Sequence, residues 1–153
     1  MLRFIYVILM NLFRAPYIIP KMRKWADHPE KYSEEERYKL VRHVIYLMKR
    51  SGKIKTVAYG EENLPKEGGY VMYPNHQGKY DALGIISTHK EPCSLVMDEA
   101  KSHTILVSEF VDLLQGKRLI KDNVRQALKI ITEVSEDVKN GKKSVSYTHL
   151  RAH

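Results

Sequence analysis

The stretch YPNHQGKYDALGI, residues 73–85, decides how the chain is read. It runs from the end of a β-rich segment, GYVMYP (69–74), through a short polar loop into Leu83, Ile85 and Ile86 at helical spacing. Pro74, Asn75 and Gly78 put His76 in the strand-to-helix connection, with Asp81 at the cap or first turn of the helix. The spacing by itself says little: with seven histidines and six aspartates in the chain, roughly 0.3 pairs five apart arise by chance. Inside one regular helix, five residues turn the chain by about 500° and leave the two side chains about 140° apart, so they meet only across a loop-to-helix junction. There Asp81 can reach back to one imidazole nitrogen and support the imidazolium formed when the other takes a proton from a hydroxyl. A plainer arrangement, Asp81 as helix cap and His76 as loop residue, satisfies the same residues.

Outward from this stretch, β-type runs at KIKTVAYG (53–60), GYVMYP and CSLVMD (93–98) give way to helical stretches after the second and third. GEENLPKEGG (60–69) supplies glycine and proline for the turn between the first two. Asp122 can cap a helix over NVRQALKIITEVSEDVKNG (123–141), with Val124, Ala127, Leu128, Ile131, Val134 and Val138 on one face and Gly141 as its stop. A further strand should begin near Ser144. The alternation predicts an α/β fold, a mixed sheet with packed helices. Upstream, SEEERYKLVRHVIYLMKRSG (33–52) reads as a helix opened by a Ser33–Glu36 capping box, with Leu40, Val41, Val44, Ile45, Leu47 and Met48 at helical spacing and Gly52 as its stop. His43, between Arg42 and Val44, reads as a boundary residue.

The formal net charge is +8, and Arg3, Arg14, Lys21, Arg23 and Lys24 precede the first acid, Asp27. FIYVILMNLF (4–13) is apolar except Asn11, but crossing hydrocarbon takes about 20 residues. RAPYIIPKMRKW (14–25) lacks a pair of small residues suited to signal cleavage, and it offers Pro16, Tyr17, Pro20 and Trp25 among cations. Aromatic and basic residues beside an apolar helix suit the interface of an anionic membrane, with the helix over residues 2–19 lying in or dipping into one leaflet. The alternative is a core helix packed on the domain. A nucleic-acid binder would more usually carry a basic stripe interleaved with polar contacts, so no nucleic-acid partner is expected. Cys93 stands alone, which excludes an internal disulfide, and no Cys/His spacing suits zinc; Cys93 reads as a small strand residue.

With its lead-in VAYGEENLPKEGGYVMYPNH (57–76), the opening stretch resembles the first motif, NHxxxxD, of the 1-acylglycerol-3-phosphate (lysophosphatidic acid) acyltransferase family. The resemblance covers roughly residues 50 to 144. It implies acyl transfer from acyl-CoA or acyl-carrier protein, as co-substrate, to a lysophospholipid hydroxyl at the cytoplasmic face of a membrane. His76 would be the general base and Asp81 its orienting partner, with Asn75 and Gly78 lining the substrate. No cofactor, metal or acyl-enzyme is implied. LLQGKRLIKDN (113–123) resembles the family's second, phosphate-binding motif and makes Gly116, Lys117, Arg118 and Lys121 substrate-binding candidates; Ile120 and Lys121 stand where that motif usually ends in Asp-Arg. A solvated basic turn is the alternative there. Lys101, in MDEAKSH, sits where members often carry a basic residue.

The family's third motif, Phe-Pro-Glu-Gly, should follow NGKKSV, and SYTHLRAH (146–153) stands in its place, similar to translated read-end sequence. The expected organisation is therefore a membrane-associating helical region (1–50), a partial, glycerolipid acyltransferase-like α/β domain (51–145) truncated at its C-terminus, and an artefactual tail (146–153). Lacking half its acceptor site, such a fragment is expected to be inactive. Glycerol 3-phosphate or another lysophospholipid is the alternative acceptor, and a non-catalytic basic membrane-binding module the alternative function.

Overall fold

The structure, a computed structural model, describes residues 2–75, 78, 80–120 and 123–146, without the side chains of residues 2–5 and 8. Three helices come first: α1 (Leu2–Asn11), α2 (Ala15–Asp27) and α3 (Glu34–Gly52). After a single 3-10 turn (Glu61–Asn63) the chain runs β1 (Tyr70–Met72), α4 (Asp81–Thr88), β2 (Cys93–Asp98), α5 (Glu99–Ser102), α6 (Val107–Leu113), β3 (Lys117–Leu119), α7 (Val124–Lys139) and β4 (Lys143–Ser146).

The best-specified helix is α3. Ser33 Oγ accepts the Glu36 N–H at 3.3 Å, and Glu36 Oε2 accepts the Ser33 N–H at 2.8 Å, so two donors that the helix leaves unpaired are satisfied reciprocally. The helix ends at Gly52 as expected, but the left-handed residue is Lys53, at φ 49°. Gly52 serves a different need: a Cβ there would lie 2.9 Å from Val7 Cγ2, so its absence lets α1 lie against α3.

Neither α1 nor α2 is long and apolar enough to cross a membrane, and no other helix among the described residues is. Both pack on the domain, α1 on α3 and α2 on α6 and α3, burying Val7 and Met22. Tyr6, Leu9 and Met10 of α1, Leu12 and Phe13 of the connecting turn and Tyr17 of α2 stay exposed. The core-helix alternative thus describes one face of this region and leaves an apolar band on the other.

Among the described residues the sheet has four strands in the order β1-β4-β2-β3, and every pairing is parallel. The expected mixed sheet is corrected here: helices intervene between successive strands, so no hairpin returns the chain antiparallel. The segment 53–60 also departs from expectation. Its alternation persists, with Ile54 and Thr56 half-buried and Lys55 and Val57 exposed, yet it forms no ladder. Side-chain alternation records which face is covered, whereas pairing needs a neighbouring strand that the local sequence does not encode. Conversely, the reading of residues 113–123 as a phosphate-binding motif, or as a solvated basic turn, includes no strand; residues 117–119 become β3 through their pairing with β2.

Register sets the faces. Leu95, Val145 and Met72 lie level on one side, over a core that includes Tyr38, Val41, Ile45, Ile86, Val111 and Leu113. Cys93 is buried in β2, as expected of a small strand residue, and burial pushes its thiol up to about 11. The Tyr38 hydroxyl lies 3.2 Å from the Ile86 carbonyl, 3.1 Å from that of His89 and 3.5 Å from Cys93 Sγ; burial raises its pKa. The opposite face carries Ser94 and Ser144, whose hydroxyls meet at 2.8 Å, and is covered by α7. Asn123, not Asp122, caps α7, its side chain accepting the Gln126 N–H at 3.0 Å; Asp122 lies outside the described residues. Gly141 stops α7 at φ 81°. Of the predicted apolar face only Val134 is buried, and Val124, Leu128 and Ile131 stay exposed. The strand expected near Ser144 is β4, which includes Ser146, first residue of the supposed tail; residues 147–153 lie outside the described residues.

Candidate active site

Parallel strands end at one edge of a sheet, and in open α/β sheets ligands bind beyond those ends. At that edge β1 stops at Met72, Pro74 has no N–H to continue the ladder, and the chain turns toward α4. His76, the expected base, lies outside the described residues, as do Gln77 and Lys79. Asp81 is the first residue of α4, and Tyr80 before it makes no side-chain cap. The Asp81 carboxylate folds back over the loop, Oδ2 accepting the Gly78 N–H at 2.9 Å, while the Asp81 N–H donates to the Gly78 carbonyl at 3.2 Å. Its place in the first turn also sets a negative charge against the positive end of the helix dipole. Gly78 is thereby committed through its amide to Asp81, and Asn75 is exposed at the strand end.

A contact missed in the sequence lies beside this loop. The Tyr80 hydroxyl meets Thr56 Oγ1 at 2.5 Å, tying the start of α4 to the unpaired segment 53–60. No local periodicity relates two residues 24 apart.

The remaining candidates spread along the same edge. Lys101 is exposed on α5, directly beyond β2. Gly116 sits where a Cβ would meet the Leu95 carbonyl oxygen at 2.6 Å and the Val111 carbonyl oxygen at 3.1 Å, so its lack of a side chain seats β3 against β2. Lys117 and Arg118, adjacent in a strand, face opposite sides of the sheet. Lys117 Nζ lies 3.1 Å from both Glu133 and Asp137. Burial pulls the lysine's pKa down, but its bonds to Asp137 and Glu133 outweigh that and raise it. Arg118 Nε donates to the buried Ser102 hydroxyl at 2.9 Å, and a terminal nitrogen pairs with Asp112 at 2.6 Å. Both substrate-binding candidates are thus paired with carboxylates and join helices to β3. Lys121 lies outside the described residues. Strand spacing puts β3 about 14 Å from β1.

Two open cavities flank α2. One of about 380 Å³ is lined by Arg23, Asp27, His103 and Asp112, and one of about 490 Å³ by Asp27, Lys117, Arg118 and Glu133. Neither borders the β1–α4 loop.

These features define a parallel α/β domain whose candidate chemistry lies in the first strand-to-helix loop. A family model described as Acyltransferase matches residues 55–147, more than half of the chain, and the chain belongs to the acyltransferase family. No curated protein and no solved structure shows significant similarity to it.

Proposed function

We propose that this acyltransferase moves a fatty acyl group from acyl-CoA or acyl-carrier protein to the free hydroxyl of a lysophospholipid, with lysophosphatidic acid as the acceptor. His76 takes the hydroxyl proton, the oxygen attacks the thioester carbonyl, and the C–S bond breaks. The imidazolium then returns the proton to the leaving thiolate, so no acyl-enzyme is required. Asp81 orients the imidazole and stabilises its charged form.

The observation that carries this reading is the back-folded Asp81 carboxylate at the start of α4. A carboxylate accepts at both oxygens, so the Gly78 bond on Oδ2 is compatible with an imidazole on Oδ1. For the phosphate, Lys101 is favoured over Lys117 and Arg118, whose charges are paired. Asn75, Gly78 and Lys121 complete the substrate-facing set. The exposed apolar band on α1 and after it, together with the basic N-terminus, supports attachment to an anionic cytoplasmic membrane face, where an amphiphilic acceptor resides.

The test is thiol release from acyl-CoA by the purified chain on anionic vesicles carrying lysophosphatidic acid, alongside His76→Ala. Release that needs the acceptor and vanishes in the variant supports the proposal. If chain and variant are equally inert yet both sediment with vesicles, the non-catalytic membrane module replaces it. Faster release with glycerol 3-phosphate or another lysophospholipid would reassign the acceptor.

A further inference from the structure

The apolar positions of α7 form a stripe wider than the sheet covers. The helix packs on β3 and β4 with Val134 buried and Ala127, Ile130 and Val138 half-buried. Val124, Leu128 and Ile131 remain 72, 59 and 56% exposed. At about 100° per residue, spacings of four and three keep these three within about 60° of one another, on one side of the helix. Two hydroxyls beside them are already spent on the helix itself: Thr132 Oγ1 donates to the Leu128 carbonyl at 3.0 Å, and Ser135 Oγ to that of Ile131 at 2.8 Å. Covering this side therefore strands neither hydroxyl proton. Arg125 and Glu136 lie together on one flank of the stripe, because eleven residues make three turns and about 20°. Neither side chain has a partner among the described residues. Within one helix they stand about 16 Å apart along the axis and cannot meet. Lys129, turned further from the stripe, lies 4.0 Å from Glu133 of the same helix.

We propose that this side of α7 is a two-fold interface on which a second copy of the chain docks, helix antiparallel to helix. The charges choose the occupant and its direction. A two-fold axis midway between Arg125 and Glu136 sets each Arg125 level with the partner's Glu136 and brings Leu128 beside the partner's Ile131, so one surface complements itself. Parallel pairing would set Arg125 on Arg125 and Glu136 on Glu136. Lys139, in the last turn, falls past the end of the partner helix, in solvent. Three apolar residues and their flank make a contact of the small, transient class, under about 1,200 Å² in total. The pairing leaves the apolar band of α1 open, because α7 covers the Ser94–Ser144 face of the sheet and α3, which carries α1, packs on the other.

Sedimentation equilibrium of the full chain over a range of concentrations reads the contact. Wild type should show a monomer–dimer equilibrium. Arg125→Glu should weaken it about tenfold or more, since both symmetric pairs become like-charged, and Glu136→Arg should do the same. The double variant, Arg125→Glu with Glu136→Arg, keeps the net charge and should recover the wild-type constant. Leu128→Gln should weaken dimerisation through the stripe itself. All three positions are exposed, so each variant should melt as wild type does. A monomeric wild type overturns the proposal, as does a double variant no better than the single ones. Association that ignores every variant also overturns it and moves the contact to another surface. Co-sedimentation with vesicles of phosphatidylcholine and phosphatidylglycerol tests the other occupant: a monomeric wild type whose vesicle binding falls in Leu128→Gln assigns this side of α7 to lipid in place of a second copy.

Discussion

Replacing Glu109 by glutamine tests how the N-terminal helices are attached. The Glu109 side chain is 3% exposed. Its Oε2 accepts the Leu106 N–H at 2.6 Å, and its Oε1 takes Arg23 Nε at 2.9 Å and a terminal guanidinium nitrogen at 2.6 Å. One carboxylate thus caps α6 and clamps α2 to it. It also holds Leu106 at φ 73°, a region leucine rarely adopts. Glutamine keeps the shape but offers one oxygen, so its amide group must face either the Leu106 N–H or Arg23, donor against donor. Losing a bond to a charged group costs about 1.5–3 kcal/mol. The Arg23 side chain is 63% exposed and can rehydrate, so its share is held to about 1 kcal/mol. The expected total is about 2–3 kcal/mol, or a fall of about 5–10 °C in Tm for a chain of this size. Urea unfolding of Glu109→Gln, Arg23→Gln and the double variant measures it, with Arg23→Gln costing about 1 kcal/mol and the double variant less than the sum. A Glu109→Gln midpoint matching wild type, or strict additivity, refutes the clamp.

Three further outcomes follow from packing and charge. Gly116→Ala should destabilise by about 1–3 kcal/mol through collision with the Leu95 and Val111 carbonyls; an unchanged urea midpoint rejects the close approach. Burial raises the Asp137 carboxyl, but its bonds from Lys142 and Lys117 outweigh that and hold it below the ordinary 3.8. The folded value lies below the unfolded one, so Asp137 stabilises above that pH and the contribution fades as pH falls through the folded value. Asp137→Asn should therefore be less stable than wild type at neutral pH, with the gap closing in acid; a gap that ignores pH contradicts the pairing. Cys93, buried and pushed up to about 11, should react with a thiol reagent at pH 8 about 100-fold more slowly than the unfolded chain, and equal rates would place it at the surface.

Much of the architecture was legible where a local device specifies it. The Ser33–Glu36 box, the Gly141 stop and the runs that became β2 and β4 each depend on residues a few positions apart. The strand-to-helix setting of residues 73–85 was legible for the same reason. What failed was non-local. Segment 53–60 had the alternation of a strand without a partner, and β3 had a partner without the alternation. The cap of α7 moved one residue because Asp122 and Asn123 are both competent and only geometry chooses. The pairing of Lys117 and Arg118 had no local signal, because their partners, Glu133, Asp137 and Asp112, come from other elements. Thr56 and Tyr80 carried no signal, since a hydroxyl pair 24 residues apart has no periodicity to betray it.

The same non-locality bears on the acceptor. The all-parallel arrangement turns the first loop, Lys101 on α5 and the end of β3 toward one edge, in the order in which the strands lie. Strand spacing then separates β1 from β2 by about 10 Å and from β3 by about 14 Å. Under the proposed function, His76 as base and a cation beyond β2 would be bridged by a small glycerol backbone and the four-carbon stem of a lysine. A cation on β3 would need a larger head group or a shifted strand, and the two cations there are already bound by carboxylates. Lys101 has no carboxylate partner among the described residues. Under the proposed function this spacing selects Lys101 over the cations of β3 as the phosphate contact, whatever substituent the phosphate carries, because the same glycerol backbone joins hydroxyl and phosphate in every lysophospholipid acceptor.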